Sequence, residues 1–345
     1  MNILNILRPE VIQSKICQEN EIVISLEKTK ALKTNTGNIV YLQALIKTKN
    51  GTNITKLLVC KLSENNSNYY AYSKKEMDFY EFILQQSFDD LPIVKGYLCD
   101  VDSQKILLLD DISTEFHELD IEINNIHPWL LASKSLAKFH SSFWNLDDKK
   151  LNSLFENEII DDIINEFSDS FIRFQKHIKD KVNNSILDIY NIAFNEVIDL
   201  EREELYRKNE NKNISIKNGD SHINNFMFSN NVDILPKIID FQFWGKGIAV
   251  GDLAHLSRVK FRFDNLENAH RLLVDTYYEE LLNNGILNYS KVQCIYDYKS
   301  KVASMMFIPM WQYVGFNLDF DYWGAGINNL VDNYLACNKL TTAST

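Results

Sequence analysis

Apolar and polar positions alternate in three stretches between residues 21 and 63, EIVISLEKT, NIVYLQALIKT and KLLVCKL, which are parted by the segments TNTGN and KNGTN. Alternation marks half-buried strands and Asn-Gly marks tight turns, so the pattern predicts an antiparallel meander. Over 72–84 the period lengthens to that of a helix, with Met77, Phe79, Tyr80, Ile83 and Leu84 as its inward positions. Two further strands are expected at 93–99 and 106–109, which gives a five-stranded sheet carrying one helix.

Past DDIS at 110–113 the spacing is helical almost throughout, in WLLASKSLAKFHSSFW, IIDDIINEFSDSFIRF and SILDIYNIAFNEVIDL. One interruption, between 214 and 241, brings short strand-like pieces (ISI, NFMF, KIIDF) joined by polar turns, and helices then resume through 338. No repeat or flexible linker separates the two parts, so they are expected to pack with a cleft between them. The fold class read from this order is α+β, with a small antiparallel-sheet lobe at 1–109, a hinge at 110–114 and a large, mainly helical lobe at 115–345.

Composition narrows the function. With 345 residues, 45% of them hydrophobic, the chain can bury one large core or two ordinary ones. Its 47 acidic against 36 basic residues leave a net charge of −11, which repels phosphate backbones and argues against nucleic acid as a partner. No run approaches the roughly 20 apolar residues of a membrane span, and the first residues lack a basic flank, apolar stretch and cleavage site, so a cytoplasmic location is expected. The five cysteines are far apart and never at metal or redox spacing, and read as reduced packing residues.

The chemistry is written in the interruption. It holds Asn218-Gly219-Asp220, then Asn225, then Asp240-Phe241-Gln242 at the end of an apolar strand. An Asp and an Asn on one loop, with a second Asp on the adjacent hairpin, can converge on a hydroxyl nucleophile and on a divalent metal held by oxygen ligands.

These stretches, KNGDSHINNFMF and IIDFQFWGKGIAVGDLAHL, resemble the H-G-D-x-x-x-x-N, D-F-Q and downstream D-L-A signatures of the aminoglycoside phosphotransferase and choline-kinase-like superfamily, most closely its ecdysteroid-kinase-like branch. VCKL, KEMDFYEFI, LLLDDIS and SLAKFHSSFW stand upstream in the family's order. The resemblance implies a two-lobed protein-kinase-like fold and an ATP- and Mg²⁺-dependent transfer of the γ-phosphoryl group to a hydroxyl of a small molecule such as an aminoglycoside, a choline-like alcohol, a sugar or a sterol-like alcohol. In that scheme Lys61 contacts the α- and β-phosphates and Glu76 orients it, while Asp220 is the catalytic base or positioning group. Asn225 and Asp240 hold Mg²⁺, and backbone groups of Leu109, Asp110, Asp111 and Ile112 face the adenine. The bland readings are a snorkelling lysine at 61, a solvated Glu76, turn-forming Asn and Asp, and helix-capping carboxylates at 110 and 111.

Two departures stand out. Asn218 occupies the family's usual histidine position, which keeps open an enzymatically silent, kinase-like binding module. No G-x-G-x-x-G is present, so backbone amides of 35–38 are the candidates to cover the phosphates. Asp252 reads as a brace of the catalytic loop or as a helix N-cap. His222 and His255 beside the carboxylates sketch a metal-dependent phosphohydrolase, though further ligands at metal spacing are missing. A protein-kinase role is weaker, since nothing like A-P-E follows Asp240. His140 is expected to pack near the cleft, and His117, His127, His177 and His270 at the surface or at helix ends. For the acceptor, Trp311, Tyr313, Phe316, Tyr322 and Trp323 with Asp319 and Asp321 suggest an aromatic and acidic wall.

Overall fold

The computed structural model describes residues 7–33, 38–62, 70–86, 88, 90–101, 104–119, 125–153 and 159–341. Its elements in chain order are α1 (Pro9–Ile16), β1 (Ile22–Lys33), β2 (Asn38–Lys47), β3 (Asn53–Leu62), α2 (Tyr70–Gln85), β4 (Gly96–Val101), β5 (Gln104–Asp110), β6 (Phe116–Glu118), α3 (His127–Ser142), α4 (Lys149–Ser153), α5 (Ile160–Ile178), α6 (Asn184–Glu210), β7 (Ser215–Lys217), β8 (Phe226–Ser229), β9 (Lys237–Ile238), β10 (Gly245–Gly247), α7 (Gly251–Leu256), α8 (Leu266–Asn283), α9 (Lys291–Met305), α10 (Ile308–Phe316), α11 (Phe320–Trp323) and α12 (Ile327–Asn338). They sort into two compact units, 1–118 with 227–244, and 119–226 with 245–345.

In the first unit the alternation of β2 puts Val40, Leu42, Ala44 and Ile46 on one face, all buried. Together with Leu58, Cys60, Cys99 and Leu108 they form a core closed by Ile12 and Ile16 of α1. Burying these side chains stabilises the sheet by about 1.5–3 kcal/mol each. The sheet order is β1-β2-β3-β5-β4, so the five expected strands are present and antiparallel. Gly51 turns β2 into β3 at φ 82°, a conformation that an L side chain resists. The fourth strand begins later than its sequence predicts because Ile93 bridges Ile238 instead.

Helix α2 covers the expected span, with one correction to its inward face. Leu84 is 52% exposed, and Phe82, 1% exposed, takes the core position beside Trp244. The aromatic partner at 244 lies far away in sequence, so helical periodicity alone could not choose between them. Beneath α2, Tyr80 rests on Gly96, where a Cβ would stand 2.3 Å from its ring.

The second unit is mainly helical. Its long α6 is capped by Asn183, which accepts from the Ile186 N–H, and ends on Asn211 in the left-handed region at φ 48°. α3 packs on α7 and α8, and α9 packs on α6, α7 and α12. β7 and β10 pair antiparallel beside them and lead into the loops described next. His270, expected at the surface or at a helix end, is fully buried in α8 with Nδ1 2.7 Å from the Tyr298 hydroxyl. Among the described residues no helix is long and apolar enough to cross a membrane.

Candidate functional site

Lys61 sits on β3 in register with Ile39 on one side and Leu107 on the other, so its backbone is fixed in the interior of the sheet. Its ammonium donates to both carboxylate oxygens of Glu76 on α2, at 2.7 and 2.9 Å. Asp240 Oδ1 lies 3.9 Å from the same nitrogen. Burial disfavours the Lys61 cation, but the charges of Glu76 and Asp240 outweigh it and raise its pKa, so Lys61 stays protonated. Glu76 is itself buried; burial and the nearby Asp240 push its carboxyl up, against the pull of Lys61 and of the Phe241 N–H.

Three contacts carry Asp240 to this place. Phe241 stacks on Phe79 of α2 with ring centroids 3.8 Å apart and planes 5° apart. The Phe241 N–H donates to Glu76 Oε1 at 3.3 Å, and the Trp244 indole N–H to the Lys75 carbonyl at 2.6 Å. Asp240 adopts φ 61°, a left-handed conformation that Asp tolerates better than most residues. Sequence reasoning named Lys61, Glu76 and Asp240; it missed the aromatic clip, whose signal was the run of aromatics in FQFW.

Asp110 and Asp111 end β5. The Asp110 carboxylate accepts from Tyr97 at 3.0 Å and pairs with Lys56 at 3.0 Å, while its N–H donates to the Lys95 carbonyl. Asp111 donates its N–H to the Leu57 carbonyl and closes a turn by accepting from the Ser113 N–H. Ile112 accepts from Glu115 and Phe116, and Leu109 is buried. Neither carboxylate caps a helix. Of the residues 35–38 considered for a phosphate cover, 35–37 lie outside the described residues.

In the second unit β7 delivers Asn218, Gly219 and Asp220 into a loop where Gly219 takes φ 84°, a value suited to glycine. Asp252 braces this loop: its two oxygens accept from the Asn218 N–H at 2.6 Å and the Gly219 N–H at 3.0 Å. His140 Nε2 stands 3.1 Å from Asp252, and its Nδ1 2.8 Å from the Tyr277 hydroxyl. A carboxylate can only accept, so Nε2 carries the proton. Of the two readings of Asp252 the brace is the one observed, since Val250 is the N-cap of α7 and no side chain caps it.

Asn218, where the resemblance leads one to expect a histidine, makes two hydrogen bonds within its own loop. Fully buried, its Oδ1 accepts both the Asp220 N–H at 3.1 Å and the Ser221 hydroxyl at 3.2 Å. Asn225 donates Nδ2 to the Asp220 carbonyl at 2.7 Å, which commits the nitrogen and leaves the amide oxygen as the atom that could coordinate a cation. Around the Asp220 carboxylate stand His255 at 3.5 Å, His222 at 3.6 Å and Arg258 at 3.7 Å. Burial, reinforced by Arg258, lowers the pKa of His255 far below its usual value, so that ring is neutral near pH 7. Arg258 was not foreseen, and only its place just beyond GDLAHL could have marked it.

Among the described residues no three His, Cys, Asp or Glu side chains group as ligands for a metal. The amide oxygen of Asn225, in the second unit, and the carboxylate of Asp240, in the first, are each hard donors of the kind that suits Mg²⁺.

Against the expected aromatic and acidic wall, the structure keeps only part. A cavity of about 540 Å³ in the second unit is lined by Tyr322 and Trp323 together with Arg258, Lys260 and Arg262. Asp319 and Asp321 are exposed and do not line it.

Comparison with known proteins bears on this geometry. Residues 36–287 match the model of the Ecdysteroid kinase-like family. Among solved structures, the chain is similar to an ethanolamine kinase from Plasmodium vivax, with a TM-score of 0.51 and 12% identity over 98% of this chain and 84% of the other. It is also similar to an ADP-bound aminoglycoside phosphotransferase, with a TM-score of 0.50 and 11% identity over 91% and 94% of the two chains. At these identities the likeness shows a shared kinase-like fold. No curated protein matches the sequence.

Proposed function

Because the chain belongs to the ecdysteroid kinase-like family, whose relatives by fold are small-molecule phosphotransferases, we propose that it transfers the γ-phosphoryl group of ATP, with Mg²⁺, to a hydroxyl of a small molecule. The observation that carries this reading is the Lys61 ammonium bound by Glu76 with Asp240 beside it. That arrangement keeps a permanent cation and a metal-binding carboxylate within 3.9 Å, as a triphosphate requires. Lys61 would contact the α- and β-phosphates, and the ends of β5 from Leu109 to Ile112 would face the adenine. Asn225 and Asp240 would hold the Mg²⁺, which when bound supplies charge neutralisation at the phosphate oxygens.

Asp220 would accept the hydrogen bond of the attacking hydroxyl and take its proton as the phosphoryl group moves. Asn218 and Asn225 hold its backbone and Asp252 holds the two residues before it, so the carboxylate would be aligned before substrate arrives. Alignment of this kind supplies most of the rate in a transfer whose transition state is loose. Neutral His255 leaves the acid-base work to Asp220.

The reading is tested by measuring ATP consumption with Mg²⁺ against aminoglycosides, choline and ethanolamine, sugars, nucleosides and sterol-like alcohols, each run beside the Asp220→Asn variant. Turnover of one acceptor class that vanishes in the variant supports it; turnover unchanged by the variant removes Asp220 from the mechanism.

A further inference from the structure

The chain carries a net charge of −11, yet the cavity beside Asp220 is lined by three cations, Arg258, Lys260 and Arg262, and by no carboxylate among the described residues. Arg258 belongs to both places, with one terminal nitrogen 3.7 Å from Asp220 and the side chain forming part of the cavity wall. Its guanidinium is mostly buried, and its Nε has no hydrogen-bond partner among the described residues. Where Arg258 forms the cavity wall, its planar guanidinium matches a carboxylate, sulfate or phosphate in shape. Trp129, Tyr322 and Trp323 contribute aromatic groups to the same lining. The volume, about 540 Å³, fits a ligand of drug-like size.

We propose that this cavity receives an acceptor alcohol built on a flat or alicyclic apolar body that also bears an anionic group, the anion held by Arg258 with Lys260 and Arg262 and the body by the three aromatic rings. The inference rests on the phosphotransfer reading and refines it. A cationic acceptor such as a polyamine-decorated sugar or a quaternary ammonium alcohol meets like charge here and is rejected. Lys260 and Arg262 are exposed and set the sign of the field at the entrance, while Arg258 acts at the inner wall toward Asp220.

The test compares three compounds of one skeleton, 6-(hydroxymethyl)-2-naphthoate, the matching carboxamide and the matching aminomethyl compound. Binding to the full chain, loaded with Mg²⁺ and a non-hydrolysable ATP analogue, is measured by calorimetry, and ATP consumption is measured in parallel. The naphthoate is expected to bind about tenfold or more tighter than the carboxamide, with the amine weakest, as a charge-assisted hydrogen bond on a mostly buried cation predicts. Arg258→Gln and, independently, the exposed Arg262→Glu should each compress that ratio by about tenfold.

Equal binding of the three compounds, or preference for the amine, overturns the inference. Turnover of the carboxamide or amine in preference to the naphthoate, still lost in Asp220→Asn, overturns it while leaving the phosphotransfer reading in place. Ordered binding that favours the anion, without turnover of any compound, supports the cavity and counts against phosphotransfer. A fall in kcat of equal size on naphthoate and carboxamide in Arg258→Gln, with the binding ratio intact, shows that Arg258 serves the transferring phosphoryl group instead, and overturns the inference.

Discussion

Lys61 and Asp220 each carry a charge the proposed reaction uses, yet the protein secures them by different means. Lys61 is held through its charge, by two bonds from the ammonium to buried Glu76 and by Asp240 at 3.9 Å. Asp220 is held through its backbone, by Asn218 on its N–H and Asn225 on its carbonyl, while the cationic and imidazole groups near its carboxylate stand at 3.5–3.7 Å. A group that must grip a polyanion can be neutralised at rest by a partner that stays in place. One that must receive a proton is better fixed from behind, through its backbone, so that its position does not depend on the charge it will lose.

The contrast can be broken first at Asp220. Asp220→Asn preserves shape and should lower kcat by about 10³-fold while nucleotide affinity changes less than about twofold, as titration with a non-hydrolysable analogue would show. A matched loss of affinity would mean that the loop, and not the carboxylate, had been disturbed.

At the other pole, Lys61→Ala should abolish nucleotide binding and also destabilise the protein by about 3 kcal/mol, because Glu76 would be left buried and uncompensated. Exchanging both partners, Lys61→Met with Glu76→Leu, should return the urea midpoint most of the way to that of the parent and leave affinity lost. Failure of the double variant to recover would show that the aromatic clip on α2 depends on Glu76.

A smaller effect is expected in the brace. Asp252→Asn keeps an acceptor at one oxygen and replaces the other with a donor facing a backbone N–H, so it should cost about 2 kcal/mol and lower kcat about tenfold. Asn218→Ala should reduce kcat by a similar or lesser factor, about threefold to tenfold, since Asn225 and Asp252 still fix the loop.

A last effect is confined to acid and touches stability alone. Burial lowers the pKa of His270 to about 4, below its value of 6.5 in the unfolded chain, so the unfolded state takes up its proton first as pH falls. Stability should therefore drop progressively between pH 6.5 and about 4, by about 3 kcal/mol for this residue at the lower end. Subtracting the curve of His270→Gln, measured by denaturant titration at each pH, isolates the contribution from that of the carboxylates.

Strand alternation and helix period foretold the sheet and α2 because both are local signals, written within about ten residues of each other. Lys61, Glu76, Asp220, Asn225 and Asp240 were legible as motifs. What escaped depended on partners remote in sequence: Phe82 in place of Leu84 answers to Trp244, the buried His270 to Tyr298, and the start of β4 to Ile238. The cavity lining failed for another reason. Asp319 and Asp321 adjoin aromatic residues along the chain, but the short helix α11 turns Tyr322 and Trp323 to the cavity without them, and the arginines come from the chain just after α7.

The union of Phe241 with Phe79 and of Trp244 with Lys75 has a mechanical meaning. Glu76 and Asp240, separated by nearly half of the chain, ride together on α2 and the segment stacked upon it, whereas Lys61 is anchored in the neighbouring sheet. Any shift of that segment would carry both acidic groups away from the amine together, so the proposed hold on a nucleotide would be lost at both carboxylates at once.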